Sequence, residues 1–368
     1  MNLYEYMGKE IFSSFGIPVP SGYVVRNTGE IKPGNSDVVV KSQVLIGGRG
    51  KSGGIKFAGT ESEIKEAAKA LLGTKIRGFT VNTVLIEEKI RIAKEYYLSI
   101  SLNRAERKPM IMASTSGGVE IESIEPEKMF TRLIDPLTGY SDYLGREAVS
   151  ALGLPPAEAS QFRDILSKLY MVFKDEDCEL VEINPLVVTA EGKLIAADAK
   201  VIIDSDSLFR HQKYNVTDPE KTPLELEAQG KGYSFVEMQG DIRVIANGAG
   251  LTMATLDALT LHKGKPRNFL DLGGTDSVDT VVNAFELVMK ADPKVILVNI
   301  FGGVTKCDTV ASGITAAKST LKISKPIVVR LSGVREVEGR EILKKDGIQA
   351  FSEMMPAIEA VVKAAGGN

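Results

Sequence analysis

The run Val38 to Phe57, VVVKSQVLIGGRGKSGGIKF, concentrates ligand-binding chemistry in twenty residues. A β-branched run ends in Lys41. A second short apolar run then leads into five glycines within eight positions, Gly47 to Gly54, threaded with Arg49 and Lys51. Glycines let a backbone enclose a ligand without side-chain clash, and the interleaved cations supply charge for phosphate. A strand-like run, Ile55 to Phe57, follows at once. The segment therefore reads either as a basic hairpin folding over a nucleotide or as a flexible surface turn. It is not a P-loop. That motif needs a glycine five residues ahead of its Gly-Lys-Ser and a helix behind it. Here Leu45 stands at the glycine position, and a strand follows.

A second constellation lies in LVEINPLVVTAEGKLIAADAK, residues 180–200. If Ala190, Glu191 and Gly192 form a three-residue hairpin loop, Thr189 faces Lys193 and the register sets Asn184 opposite Asp198. Glu182 stands two residues from Asn184 and projects from the same face. Two carboxylates and an amide on one face are hard oxygen donors of the kind magnesium takes beside phosphates. The same residues also read as a solvated polar face, with Asn184 starting a bend before Pro185. A third group, IEEKIRIAKEYYL from Ile86 to Leu98, has Glu87 and Glu95 flanking a short connector. These carboxylates read as ribose holders or as exposed charges.

In the second half, glycines mark three strand-to-helix junctions: Asn247-Gly248-Ala249-Gly250, Gly273-Gly274-Thr275 and Asn299-Ile300-Phe301-Gly302-Gly303. In an open parallel sheet, ligands bind beyond the carboxyl ends of the strands. The N–H groups at helix starts carry partial positive charge there, which suits an anionic ligand. Phosphoryl transfer through histidine would need an imidazole beside the nucleotide. The two histidines are His211, in a polar stretch, and His262, in LHKGKP at a helix end with Gly264 as cap. Neither suits that role, so the nucleophile is expected from the substrate or from another chain.

The elements that must position these groups fall into two halves. Apolar spacing predicts a first helical segment over Leu3 to Phe15. It also predicts a strand over Val38 to Val44, a helix over Glu61 to Leu72, and strands at Thr83–Ile92, Tyr96–Leu102, Met110–Ser114 and Val119–Ile124. Pro155-Pro156 opens a helix with an apolar stripe at Phe162, Ile165, Leu166, Leu169, Tyr170 and Phe173. Strands Glu179–Val188 and Lys193–Ile203 follow, and Asp204 to Gln239, polar and poorly periodic, reads as a connector. From Asp241, strands and helices alternate through five β–α units, which implies a doubly wound parallel sheet of flavodoxin type.

A chain of 368 residues, 43% apolar and 25% charged, is expected to form two or three globular domains. No run is long enough to span a bilayer, and a net charge of −3 argues against a nucleic-acid binder. The N-terminal MNLYEYMGKE carries no visible secretory signal. Cys178 and Cys307 are far apart, without metal spacing, and read as reduced thiols of a cytoplasmic protein.

Across its length the sequence resembles the β subunit of succinyl-CoA synthetase (succinate–CoA ligase) of bacterial and archaeal type. The strings that carry the resemblance are MNLYEYMGKEIF, VVKSQVLIGGRGKSGG, MASTSGGVEIE, DPLTG, LVEINPLVVT, ANGAGLTMATLD, NFLDLGG and VNIFGG, in that order. The resemblance implies an N-terminal ATP-grasp domain over 1–235, with lobes of roughly 1–15 plus 100–235 and of 16–99, and a flavodoxin-like CoA-ligase domain over 236–368. It implies that nucleoside triphosphate, succinate and CoA interconvert with nucleoside diphosphate, phosphate and succinyl-CoA. ATP/ADP is the expected nucleotide, with GTP/GDP open, and Mg2+ the expected ion. A phosphohistidine on an α subunit would carry the phosphoryl group, in an α–β pair or a dimer of such pairs.

Position by position, Lys41 falls on the family's nucleotide-binding lysine and Gly48-Arg49-Gly50 on its phosphate-covering loop. Glu87, Ile90 and Glu95 fall where base and ribose are held. Asn184 and Asp198 match magnesium ligands, and Glu182 matches the carboxylate that orients the partner's histidine. Asn247 and Gly303-Val304-Thr305 match the segments that contact the carboxylate substrate. Three departures stand out. Thr305 replaces a small apolar residue, Ile90 replaces a smaller or polar one, and the stretch from Gly73 to Val84 is short. Two other readings keep the same residues: a ligase for malate or another acid, and a non-catalytic nucleotide-binding scaffold subunit.

Overall fold

The computed structural model of the chain describes residues 1–34, 37–46, 48–119, 121–214, 216 and 221–366. Gly47, the first glycine of the basic hairpin, lies outside them. The chain divides into two compact units, residues 1–219 and 220–368.

The first unit holds a two-stranded antiparallel sheet, Lys75–Ile76 with Phe79–Thr80, and two larger antiparallel ones. In the smaller of these two, the strands run in the order Gly22–Val25, Val84–Glu88, Val38–Ser42, Ile55–Ala58. Lys41 pairs with Ile55, so the glycine-rich run is the loop of a true hairpin. Helix Glu61–Leu71 buries Ile64, Ala67, Ala68 and Leu71 against this sheet, and the Thr60 hydroxyl caps it by accepting from the Glu63 N–H. The larger sheet is built on two long strands, Ile92–Asn103 and Cys178–Thr189. Helix Pro156–Asp175 packs on it through Phe162, Ile165, Leu166, Leu169, Val172 and Phe173. The stripe read from the sequence holds, except that Tyr170 stays half-buried and Val172 takes the enclosed position.

Two expected strands fail, and both failures fall beside the site. The strand expected over Lys193–Ile203 is broken into Leu194–Ala196 and Lys200–Ile203. At the break, the Ala197 carbonyl accepts the ammonium groups of Lys9 and Lys41 at 2.8 and 2.7 Å, leaving it unavailable to a strand ladder. Of the strand expected over Val119–Ile124, Glu120 lies outside the described residues, and the described ones form no strand. There the Asn184 amide takes the Gly118 N–H and the Val119 carbonyl, the groups a strand would pair, and a 3-10 turn follows at Ile121–Ser123. The strand actually present nearby is Met129–Leu133.

The second unit carries a six-stranded sheet in the spatial order Ser234–Glu237, Asn268–Asp271, Ile242–Ala246, Val295–Gly302, Ile327–Gly333, Gln349–Phe351. The five strands after the first are parallel and, counted along the chain, lie 2-1-3-4-5. That is the flavodoxin order expected from the alternation, and its switch point lies between Ile242–Ala246 and Val295–Gly302. Those two strands are buried from Ile242 to Ala246 and from Val295 to Ile300, and they read as apolar runs interrupted only by the buried Arg243 and Asn299. Part of the supposed connector belongs here. Helix Pro223–Gly230 starts on a Thr222–Glu225 capping box, and Ser234–Glu237 pairs antiparallel with Asn268–Asp271. One short helix and an edge strand leave little periodicity to read.

Candidate functional site

A cleft of about 850 Å³ opens in the first unit, lined by Gly48, Arg49 and Gly50 of the hairpin and by Glu182, Asn184 and Asp198 across from it. The hairpin can return so tightly only through Gly54, where a Cβ would sit 2.5 Å from Ser42 Oγ and 3.0 Å from the Arg49 carbonyl.

The register of the polar strands is continuous across their gap. Leu186 pairs with Ala196 and Glu182 with Lys200, so Asn184 falls across from Asp198, as the loop geometry predicts. Asn184 Oδ1 accepts from the Gly118 N–H at 2.8 Å while its Nδ2 donates to the Val119 carbonyl at 2.9 Å, which fixes the amide. Gly118 makes this possible with a φ of +71°, a conformation costly for other residues. Asp198 is 35% exposed and accepts Arg49 Nη2 on both oxygens, at 2.9 and 3.0 Å. Glu182 accepts the Tyr97 hydroxyl at 2.9 Å. Burial raises the Glu182 carboxyl above its ordinary range, against the pull of Lys200 and the Tyr97 hydroxyl, and the charges of Asp198 and Glu122 add to the rise.

As a magnesium site this donor set fits. Both candidate ligands offer hard oxygen, and Asn184 Oδ1 keeps a second lone pair while bonded to Gly118. Asp198 becomes a ligand once Arg49 leaves it. Among the described residues no cluster of three His, Cys, Asp or Glu side chains is arranged to hold a metal by protein groups alone.

Behind the cleft lies an ion network the sequence reading missed. Glu5, with its side chain 1% exposed, accepts Lys9 at 2.8 Å, Lys41 at 3.0 Å and Arg49 Nη1 at 2.7 Å. Glu87 accepts Lys9 at 2.6 Å and also pairs with Lys41. Three cations thus meet three carboxylates, Asp198 included. Burial opposes ionisation of Glu5, but Arg49, Lys41 and Lys9 together hold its carboxyl well below the usual range. Lys41 is likewise held charged: burial opposes it, and Glu5, Glu87 and Asp198 push its pKa up. Removing one partner of such a buried network costs about 3–5 kcal/mol, because the remaining charges are stranded. A signal for it existed. Glu5 and Lys9 stand at i and i+4 on the face of helix Glu5–Ser14 that also buries Phe12, so charges lie on the apolar stripe.

Lys41 and Glu87 are therefore together but turned to one another, and Arg49 joins them through Glu5. Glu95 borders the Asn184 clamp instead: a Cβ on Gly118 would lie 2.4 Å from its Oε2. Ile90 sits half-buried in the link between Val84–Glu88 and Ile92–Asn103.

In the second unit, Asn247 follows one strand of the switch point and Gly303-Val304-Thr305 follows the other. The Asn247 amide bonds the Phe301 N–H and carbonyl, each at 2.9 Å, adding a side-chain rung beyond the strand ladder. Val304 is 79% exposed. Thr305 is buried, and its hydroxyl accepts the Thr275 N–H at 3.1 Å. The extra hydroxyl of this position is thus spent on the neighbouring loop. Asp271, which sequence reading passed over, accepts the N–H groups of Gly248 and Gly273, so these two glycine junctions already hold a carboxylate of the chain itself.

His211 Nε2 lies 2.7 Å from Asp177 Oδ2, and neither histidine lines the cleft. His262 ends helix Ala249–Leu261, as expected, but the left-handed cap residue is Lys263, with φ of +63°, and not Gly264. Gly264 is needed for space: a Cβ would meet Val362 at 2.9 Å. Cys178 and Cys307 are buried and unpaired. No helix among the described residues is long and apolar enough to cross a membrane.

Comparison with known proteins agrees with both units. A family model described as "ATP-grasp domain" matches residues 2–188, and one described as "CoA-ligase" matches residues 245–363. The chain is 43% identical to the succinate–CoA ligase [ADP-forming] subunit beta of Desulfurococcus amylolyticus, covering 99% of this chain and 98% of that protein. It is 44% identical to the ADP-forming counterpart of Aquifex aeolicus over 95% of this chain and 94% of that one. It is 41% identical to the succinate–CoA ligase [GDP-forming] subunit beta of Thermus thermophilus over the whole of both. The solved structure of ATP citrate lyase from Methanothrix soehngenii, in complex with citrate and coenzyme A, shares the fold. Its TM-score is 0.76 at 19% identity, covering 98% of this chain and 99% of that one.

Proposed function

The chain belongs to the family of succinate–CoA ligase β subunits, and on that premise we propose how its residues divide the work of an acid–thiol ligase that forms succinyl-CoA reversibly at the expense of a nucleoside triphosphate. The observation that carries the reading is the cleft itself. A cationic hairpin, two oxygen donors and the half-buried Glu182 carboxylate converge there, while both histidines of the chain lie elsewhere. In this proposal Lys41 and Arg49 grip phosphate oxygens, with the backbone of Gly48 and Gly50 close against them. Asn184 and Asp198 hold Mg2+, which when bound offsets charge on the phosphates. Glu87, Ile90 and Glu95 serve base and ribose.

Glu182 has a separate task. A histidine entering from an α subunit would meet a carboxylate whose pKa burial raises. Its negative form orients the imidazole and favours the imidazolium. The phosphoryl group then leaves on that partner's histidine to reach the carboxylate substrate, met by Asn247 and the Gly303-Val304-Thr305 segment. ADP/ATP is the first choice of nucleotide, and GDP/GTP remains within the family's range. Relatives named for succinate favour that acid over malate, and the inward-turned Thr305 hydroxyl supports it, since the hydroxyl is already bonded to Thr275.

The test is a purified complex of this chain with its co-expressed α subunit. CoA-thioester formation should require nucleotide and Mg2+ and run faster with succinate than with malate or acetate. A malate preference would transfer the assignment to another acid. Failure to exchange label between ADP and ATP would make the chain a non-catalytic scaffold.

A further inference from the structure

Glu5 has no task in the reaction as described, yet its carboxylate receives four donors: Lys9, Lys41, Arg49 and, at 3.2 Å, the Gln43 amide. Two of these belong to the side chains assigned to phosphate. The contacts of Arg49 are divided by edge. Nη1 donates to Glu5 at 2.7 Å, and Nη2 donates to Asp198 at 2.9 and 3.0 Å. The two anchors are unequal, since Glu5 is 1% exposed on a helix and Asp198 is 35% exposed at the cleft. A guanidinium is planar and rigid, with donors fixed in a fork, so one edge can stay seated while the other exchanges its partner.

We infer that Glu5 is a positioning residue for the nucleotide phosphates. It holds Arg49 by the Nη1 edge and Lys41 by its ammonium, so that the Nη2 edge passes from Asp198 in the unloaded protein to a phosphate oxygen in the loaded one. The inference rests on the nucleotide-binding reading of this cleft. The exchange is matched in charge. Phosphate takes the place of the Asp198 carboxylate at Arg49, and the carboxylate so released is one of the two magnesium ligands. One displacement therefore both seats the phosphate and completes the metal site. Without Glu5, Arg49 would have Asp198 as its only carboxylate, and the hairpin would close on the metal ligand in place of the nucleotide.

The test pairs Glu5→Gln with Lys9→Met, which removes one charge of each sign and leaves the network balanced. Nucleotide binding is measured on the full chain by calorimetry, and KM and kcat on its complex with the α subunit. The double variant is expected to raise nucleotide Kd and KM by about tenfold or more, with kcat at saturation changed less than about twofold. In an Arg49→Lys background, where one ammonium cannot serve two anchors, the Glu5 effect should largely vanish. Should the neutral variant fail to accumulate, Glu5→Asp keeps the charge, withdraws the carboxylate by one methylene, and is read in the same way. Wild-type Kd and KM in the folded variant, or an undiminished effect in the Arg49→Lys background, would overturn the inference. If the wild-type chain itself binds no nucleotide, the reading of the cleft fails first.

Discussion

Substituting Asp198→Asn tests the cleft from both of its sides. In the unloaded protein Asp198 anchors the basic hairpin, because both of its oxygens accept Arg49 Nη2. Charge-assisted bonds of this kind contribute about 1.5–3 kcal/mol when sheltered. Asp198 is 35% exposed, so solvent screening places the loss near the lower end, about 1.4 kcal/mol. That is roughly tenfold in the population whose Arg49 is released. The Ala199 N–H still finds an oxygen on the asparagine, so the strand break itself should survive.

Trypsin reads that population directly. Cleavage after Arg49 requires its side chain, 10% exposed, to leave both carboxylates, whereas Lys51 two residues on is exposed and gives a reference cut. When opening is fast relative to cleavage, the rate tracks the open fraction. Asp198→Asn should therefore raise cleavage after Arg49 about tenfold relative to cleavage after Lys51. The second arm is magnesium. Wild-type affinity for nucleotide should rise with Mg2+, and the variant should lose most of that rise while binding metal-free nucleotide no more weakly. Unchanged cleavage together with an unchanged magnesium titration would refute the reasoning on both counts.

Glu182→Gln should raise the thermal midpoint while abolishing phosphoryl exchange with the α subunit. Burial lifts the folded-state carboxyl pKa, so the folded chain keeps this proton to higher pH than the unfolded chain does. Stability is then lost as pH rises through the unfolded value and stays lower above the folded one. The gain should be full at mildly alkaline pH and shrink toward acid, and a variant less stable than wild type above neutrality would contradict it. Asn247→Ala removes two hydrogen bonds to Phe301, a loss of about 1–3 kcal/mol, and should speed exchange of the Phe301 amide while leaving that of Val298 unchanged. Equal protection of Phe301 in both proteins would dismiss the bridge. Incubated alone with labelled nucleotide, the chain should acquire no acid-labile phosphate. Label on His211 or His262 would show that it supplies its own nucleophile.

What could be read from the sequence followed from how local each cause is. The five β–α units were legible because buried parallel strands carry apolar runs such as Val295–Val298 and their helices repeat on one face. The Asn184–Asp198 juxtaposition was legible because a three-residue loop with Gly192 at φ of +77° sets the register for everything behind it. The Glu5 network could not be counted out in this way. It joins residues 5, 9, 41, 49, 87 and 198, drawn from five segments, and only folding brings them together.

The two strands that failed belong to the same argument. Periodicity assumes that each backbone group serves its own ladder. At Ala197 the carbonyl serves Lys9 and Lys41, and at Gly118 and Val119 the N–H and carbonyl serve Asn184. In each case a side chain of the candidate site has taken a main-chain group, and the strand has stopped where that happens. Local sequence rules break here because the backbone is already committed to holding the charged groups apart and in place. It follows that a substitution restoring strand character near residues 117–119 should disturb the cleft more than the fold. At Gly117 a Cβ would lie 2.4 Å from the Tyr96 carbonyl oxygen, so the segment must move, and the Asn184 amide bonded to it must move as well.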